Sequence, residues 1–158
     1  MSITFQALNQ HDISLTHALL KLFGEVFDDM DTYTQKTPST SYLQKLLSSH
    51  AFIALVALDN NQVVGGLAAY ELHKLEQERS EIYIYDLAVS KQHRRRGIAT
   101  KLINHLKTIA AIRGAYVIFV QSDQALEDEP AIALYSKIGI REDVLHFDIP
   151  VHRSNTSE

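Results

Sequence analysis

Apolar and polar positions alternate along "ITFQAL", the period of a short half-buried strand. From Asp12, an N-cap residue by chemistry, Leu15, Leu19, Leu22 and Val26 recur with Ala18, Phe23 and Phe27 beside them, which predicts one apolar helical face. The polar, acidic connection "DDMDTYTQKTPSTS" then leads to a second short helix around "SYLQKLLSS". "AFIALVAL" and "QVVGGLAAYEL" read as strands joined through Asp59, Asn60 and Asn61, a tight hairpin because Asn tolerates positive φ. After the charged loop "HKLEQERS", the aromatic and β-branched "EIYIYDLAV" reads as a further strand. Ile98, Leu102, Ile103, Leu106, Ile109 and Ala110 mark an amphipathic helix that Gly114 can end. "AYVIFVQ" is a continuous apolar run, expected as a strand buried on both faces. Pro130 suits the first turn of a last helix, with Ala131, Leu134, Tyr135 and Ile138 along one side. Gly139 closes that helix, and "EDVLHFDI" is expected as a final strand. The predicted order is β-α-α-β-β-β-α-β-α-β, an antiparallel sheet running into a βαβ unit: an α/β (α+β) chain.

Length and composition narrow the class. The 158 residues are most simply one domain, residues 1–150, with a tail at 151–158 that is expected to fray. A net charge of −4, with the bases concentrated in one cluster, argues against a nucleic-acid partner. The first residues lack the basic start and apolar core of a secretion signal, and the longest apolar run is far short of a membrane span. The expectation is a soluble, cytoplasmic protein without a membrane partner. With no cysteine, disulfides, thiolate nucleophiles and cysteine-held metals are excluded.

The basic cluster is "HRRRGIATKLINHL", where Arg94, Arg95 and Arg96 precede a predicted helix. A helix N-terminus already carries partial positive charge, so cations there are disfavoured unless a ligand supplies the counter-charge. Gly97 lacks a Cβ and lets a ligand approach the backbone, while the free amides of the first turn form an anion site suited to pyrophosphate. The spacing fits neither a P-loop, since no Gly-Lys-Ser/Thr follows, nor a dinucleotide fingerprint, since G-x-G-x-x-G is absent.

"YDLAVSKQHRRRGIATKLI" resembles the acetyl-CoA-binding motif of the GNAT superfamily of N-acetyltransferases, whose core is Arg/Gln-x-x-Gly-x-Gly/Ala. The resemblance extends over nearly the whole chain. It implies the acyl-CoA N-acyltransferase fold: a mixed central sheet, flanked by helices, whose fourth and fifth strands splay apart. Within the superfamily, "FIALVAL", "RSEIYIYDLAV", "HRRRGIAT", "GAYVIFVQ", "ALYSKIGIRE" and "HFDI" resemble the aminoglycoside 3-N-acetyltransferases of the gentamicin-resistance type.

The resemblance implies acetyl-CoA as cosubstrate, bound by Leu87, Ala88, Val89, Arg94, Arg95, Arg96, Gly97, Ile98, Ala99 and Thr100. Leu87 and Val89 would offer backbone groups to the pantetheine, and the segment from Arg94 to Thr100 would wrap the pyrophosphate. It implies attack of a neutral amine on the thioester through a tetrahedral intermediate. Tyr135 matches the tyrosine that many members place near the departing sulfur, although it also lies on the apolar stripe of its helix. For the base, Asp86 is the candidate: an acid in an otherwise apolar strand costs desolvation unless it has work or a partner. Tyr83 stands where histone-modifying relatives place a catalytic glutamate, so their base does not transfer.

A polycationic substrate calls for acids, and Asp28, Asp29, Asp31, Glu81, Asp123, Glu127, Asp128 and Asp143 are the candidates for binding it, each of which alone also reads as a solvated surface acid or helix cap. The eight histidines show no ligand spacing, so no metal is expected. The resemblance further implies a homodimer and acetylation of the 3-amino group of the 2-deoxystreptamine ring. Two alternatives stay open: the same fold acting on another small amine or a protein N-terminus, and an acyl-CoA-binding module without catalysis.

Overall fold

The hairpin at the centre of the sheet follows directly from its turn residues. Asn60 and Asn61 both adopt positive φ, 50° and 64°, and set Asp59 opposite Gln62. The computed structural model describes residues 2–122 and 129–152, and the chain divides into two compact units, Met1–Gln121 and Ser122–Glu158.

The first unit contains β1 (Thr4–Ala7), α1 (Ile13–Val26), a π-helical turn (Asp31–Gln35), α2 (Thr40–Ser48), β2 (Phe52–Asp59), β3 (Gln62–His73), β4 (Ser80–Val89), a 3₁₀ turn (Lys91–His93), α3 (Ile98–Arg113) and β5 (Ala115–Val120). The sheet order is β1-β2-β3-β4-β5; all neighbours are antiparallel except β4 and β5, which run parallel through the α3 crossover. Two layers cover the sheet. On one face Leu8, Ala54, Val56, Leu58 and Ala88 pack with Leu19, Leu22 and Phe23 of α1 and Leu47 of α2. On the other, Leu67, Ile82 and Ile84 are fully buried, as are Leu102 and Leu106 of α3.

Adjacent glycines bring both layers close to β3. A Cβ at Gly65 would lie 3.0 Å from Ile98 Cγ2 of α3, and one at Gly66 would fall against Leu19 of α1 and 2.8 Å from the Leu55 carbonyl. Ser39 Oγ caps α2 by accepting from the Tyr42 amide at 3.2 Å, and Gly114 ends α3 in the left-handed region, whereas Asp12 stands at the N-cap of α1 with its carboxylate accepting from the Asn9 amide at 2.8 Å and making no cap bond. No helix among the described residues is long and apolar enough to cross a membrane.

Two expectations are corrected. β5 is not buried on both faces; Tyr116 and Val117 are exposed, because β4 is its one neighbour in the described sheet and the strand lies at the edge. In the second unit α4 (Glu129–Ile138) forms as expected, but no strand follows. Residues 139–152 take no regular structure, and Val144, Leu145, Phe147 and Ile149 are exposed; an alternating pattern makes a strand only when a neighbour completes its ladder. The rest of the tail, 153–158, lies outside the described residues.

A buried carboxylate ties α3 to the sheet. Glu71 on β3, with a side chain 1% exposed, accepts from Ser80 Oγ at 2.6 Å and from Arg113 Nη1 at 2.8 Å, and Arg113 also donates to the His50 carbonyl. Burial alone would push the Glu71 carboxyl up; Ser80 and Arg113 outweigh it and hold the group below its ordinary range. The stabilisation is therefore present above the ordinary carboxylate range and is lost as pH falls through the lowered value. Arg113→Ala leaves a buried acceptor short of its partner and is expected to cost on the order of 2 kcal/mol in urea unfolding at neutral pH. The same substitution should move the acid unfolding limb to higher pH; an unchanged midpoint and limb would show that the pair contributes nothing.

Candidate active site

β4 breaks strict alternation. Ala68 of β3 faces Asp86, but Ala69 faces Ile84, so Tyr85 is an extra residue in a β-bulge. The bulge lets Ile84 be buried on one face while Ala88 packs under α1 on the other. It also turns Asp86 toward α1 and the π-helical turn, where the Tyr33 hydroxyl donates to Asp86 Oδ1 at 3.0 Å. The Tyr33 ring is held by Phe23 and Phe27, with centroids 5.8 and 5.7 Å away. Burial pushes the Asp86 carboxyl above its ordinary range, and the Tyr33 hydrogen bond opposes the shift. Burial and the Asp86 charge together push the Tyr33 phenol far up, so Tyr33 is a neutral donor at any physiological pH.

Beyond Asp86 the strand loses its neighbour. Pairing of β4 with β5 ends at Ile84 and Val120, whereas β4 continues to Val89. The Ser90 amide donates to the Val64 carbonyl of β3 at 2.8 Å. Backbone groups alternate sides along an antiparallel strand, so those of Ala88 also point to β3 and those of Leu87 and Val89 point to the open side. The turn after β4 is anchored by His93, whose ring nitrogens lie 2.6 Å from Ser90 Oγ and 3.2 Å from Asp59 Oδ2.

Arg94, Arg95 and Arg96 are exposed, Arg94 Nε donating to the Val89 carbonyl at 3.5 Å, and Arg95 and Gly97 both have positive φ. Gly97 sits at the N-cap of α3 with no side-chain cap, leaving the first-turn amides of Ile98, Ala99 and Thr100 available, and a Cβ built on it would meet nothing within 4 Å. Open space above uncapped amides, with three exposed arginines just ahead of them in the chain, fits the pyrophosphate of a nucleotide-linked cofactor.

Among the predicted substrate acids, Asp29 bears on the Tyr33–Asp86 pair: after burial and Asp86, its charge adds to the upward push on the Tyr33 phenol. Asp28, Asp29 and Asp31 are exposed beside the π-helical turn; Asp29 Oδ1 accepts from the Thr32 amide at 3.2 Å. Glu81 stands at the other end of β4, where Tyr116 donates to it and Lys74 lies 3.3 Å away. In the second unit Tyr135 is half-buried on α4 and Asp143 is exposed in the irregular segment. Asp123, Glu127 and Asp128 lie outside the described residues. Tyr33 was not anticipated, since it lies in a polar run; the "YIY" ahead of Asp86 was the one signal that aromatic rings line this face.

Residues 16–140 match the model of the Acetyltransferase (GNAT) family. The chain belongs to that family. The crystal structure of an aminoglycoside acetyltransferase from an uncultured soil metagenomic sample is 64% identical, with a TM-score of 0.94 over 96% of this chain and 100% of that one. A second aminoglycoside acetyltransferase from such a sample, in complex with sisomicin, is 32% identical with a TM-score of 0.86 over 95% and 97% of the two chains. An N-alpha-acetyltransferase 30 from Schizosaccharomyces pombe is 32% identical over 87 residues, 54% of this chain and 55% of that protein, so the match spans about half the length of this curated relative. Enzymes of the GNAT family use acetyl-CoA, and the uncapped helix, the arginines and the open strand edge are suited to it.

Two substitutions test this geometry without a turnover assay. Gly97→Val adds a branched side chain where the pyrophosphate would lie and should weaken coenzyme A binding about tenfold or more by calorimetry, while helical content is retained. Tyr33→Phe removes the bond that holds Asp86 down, so the Asp86 carboxyl, followed by carbon-13 NMR, should titrate at higher pH; a lower or unmoved value would contradict the assignment.

Proposed function

We propose that this protein transfers the acetyl group of acetyl-CoA to the 3-amino group of the 2-deoxystreptamine ring of aminoglycoside antibiotics such as gentamicin. The observation that carries the reading is the 64% identity to an aminoglycoside acetyltransferase over 96% of this chain and 100% of that one. The sisomicin complex of a more distant neighbour supports the same substrate class.

Asp86 is the general base in this reading. Its desolvated carboxylate, with a raised proton affinity, takes a proton from the substrate ammonium directly or through one water. The freed amine attacks the thioester carbonyl; the carbon–nitrogen bond forms, the carbon–sulfur bond breaks, Tyr135 gives its proton to the departing thiolate, and the second proton leaving the new amide nitrogen restores the Tyr135 phenol through solvent. The products are the N-acetyl aminoglycoside and coenzyme A, and the proton held by Asp86 returns to solvent. Leu87 and Val89 align the pantetheine along the open strand, and the Arg94–Thr100 segment holds the pyrophosphate. The reaction is assigned to the cytoplasm, because the charged cofactor does not cross membranes. A homodimer is supported by the apolar residues of 139–152, Phe147 and Ile149 among them, whose exposure calls for a covering surface.

A protein N-terminus is the second acceptor to consider, on the strength of the yeast N-alpha-acetyltransferase match. Competing assays decide: the full chain should acetylate gentamicin and sisomicin with acetyl-CoA and leave N-terminal peptides untouched, and the reverse preference would overturn the proposal. Asp86→Asn should lower kcat by roughly a hundredfold or more with unchanged coenzyme A affinity. Tyr135→Phe should slow thiolate release; if Tyr135 only packs, its rate will match the parent.

A further inference from the structure

The bulged face of the sheet carries a continuous row of rings that neither the cofactor site nor the base requires. Phe52 of β2 lies 5.3 Å from Tyr70 of β3, Tyr70 meets Tyr85 edge-on at 6.1 Å, Tyr85 is 5.8 Å from Tyr83, and Tyr83 stacks on Phe119 of β5 at 4.7 Å. Cross-strand stacking accounts for the inner members. It does not account for Tyr85, the bulge residue, which is 62% exposed, nor for Tyr70 at 36%. Large rings left in water beside a half-buried carboxylate are a binding surface in waiting.

The charge on this face is one-sided. The charged groups that bear on Tyr70 and Tyr83 are Asp86 and other phenols. Of the described acids in this unit, Glu81 is engaged by Lys74 and Tyr116 at the far end of β4, and Asp29 Oδ1 accepts from the Thr32 amide. The negative faces of the rings beside Asp86 attract cations at close range and can receive ammonium groups there.

We propose that Tyr70, Tyr85 and Tyr83 form the acceptor platform, on which an amino-sugar ring lies with an ammonium group over the exposed Tyr85 face while a neighbouring amine is presented to Asp86. The proposal rests on the reading of the protein as an aminoglycoside acetyltransferase and assigns part of the specificity of that site to aromatic faces. Tyr85 is the anchor, since it is the most exposed ring and adjoins Asp86 in the chain.

The test uses the full chain with coenzyme A present, sisomicin as the probe, and two readouts, calorimetric binding and steady-state turnover. Tyr85→Ala should raise both Kd and KM for sisomicin about tenfold, leaving kcat at saturation and the KM for acetyl-CoA unchanged. Tyr85→Phe, which keeps the ring, should stay within about twofold of the parent. An unchanged Kd and KM in Tyr85→Ala, with turnover intact, would overturn the platform and leave the proposed activity standing. A Tyr85→Phe variant as weak as Tyr85→Ala would also overturn it, because the hydroxyl would then be the contact. A parent protein that binds sisomicin through Tyr85 without acetylating it would support the platform and overturn the activity. A parent that neither binds nor acetylates it would overturn both.

Discussion

Burying Ile84 beneath α3 and Ala88 beneath α1, within one strand, requires an extra residue, and the rest of the site depends on that residue. Without the Tyr85 bulge, Ile84, Asp86 and Ala88 would share a face and Asp86 would follow Ile84 into the α3 layer. An unpartnered carboxylate there would cost several kcal/mol or take up a proton permanently. With the bulge, Asp86 lies at the border of the α1 layer, half-buried and hydrogen-bonded to Tyr33. The same interruption coincides with the point where β5 leaves β4, so Asp86 and the open strand edge are neighbours by construction.

Opposite electrostatic strategies meet along β4 and the turn that follows it. At the α3 end, charge is left in water: the arginines are exposed and the helix amides uncapped, so an anionic ligand can displace solvent there at little cost. At the bulge, charge is withdrawn from water, which raises the proton affinity of Asp86 toward the range useful to a base. Glu71 shows the contrasting solution in the same sheet. It is more deeply buried than Asp86, yet Ser80 and Arg113 hold it ionised, so it anchors α3 and cannot exchange protons near neutral pH.

Much of this was legible in the chain because local rules sufficed. Asn60 and Asn61 announced the hairpin, Gly114 the end of α3, and the arginine–glycine segment the uncapped start of that helix, each through the backbone chemistry of a few adjacent residues. The carboxylate in an apolar strand marked Asp86 on energetic grounds alone. What escaped were facts of long-range pairing. Tyr33 reaches Asp86 from an acidic connection far upstream, and Arg113 reaches Glu71 from the far end of another helix, contacts that no local period encodes. "EDVLHFDI" has the alternation of a strand but takes no regular structure, because alternation describes a face and a ladder needs a neighbour.

The central claim is that β4 beyond Asp86 keeps one backbone edge free for the thioester arm of acetyl-CoA. Residue-resolved amide hydrogen exchange by NMR, without and with the cofactor, tests it most directly. The amides of Ala88 and Ser90, bonded to β3, should be protected in both states, while those of Leu87 and Val89 should exchange fast in the free protein and become protected when acetyl-CoA binds. Protection of Leu87 and Val89 before the cofactor is added, or no gain on adding it, would contradict the account.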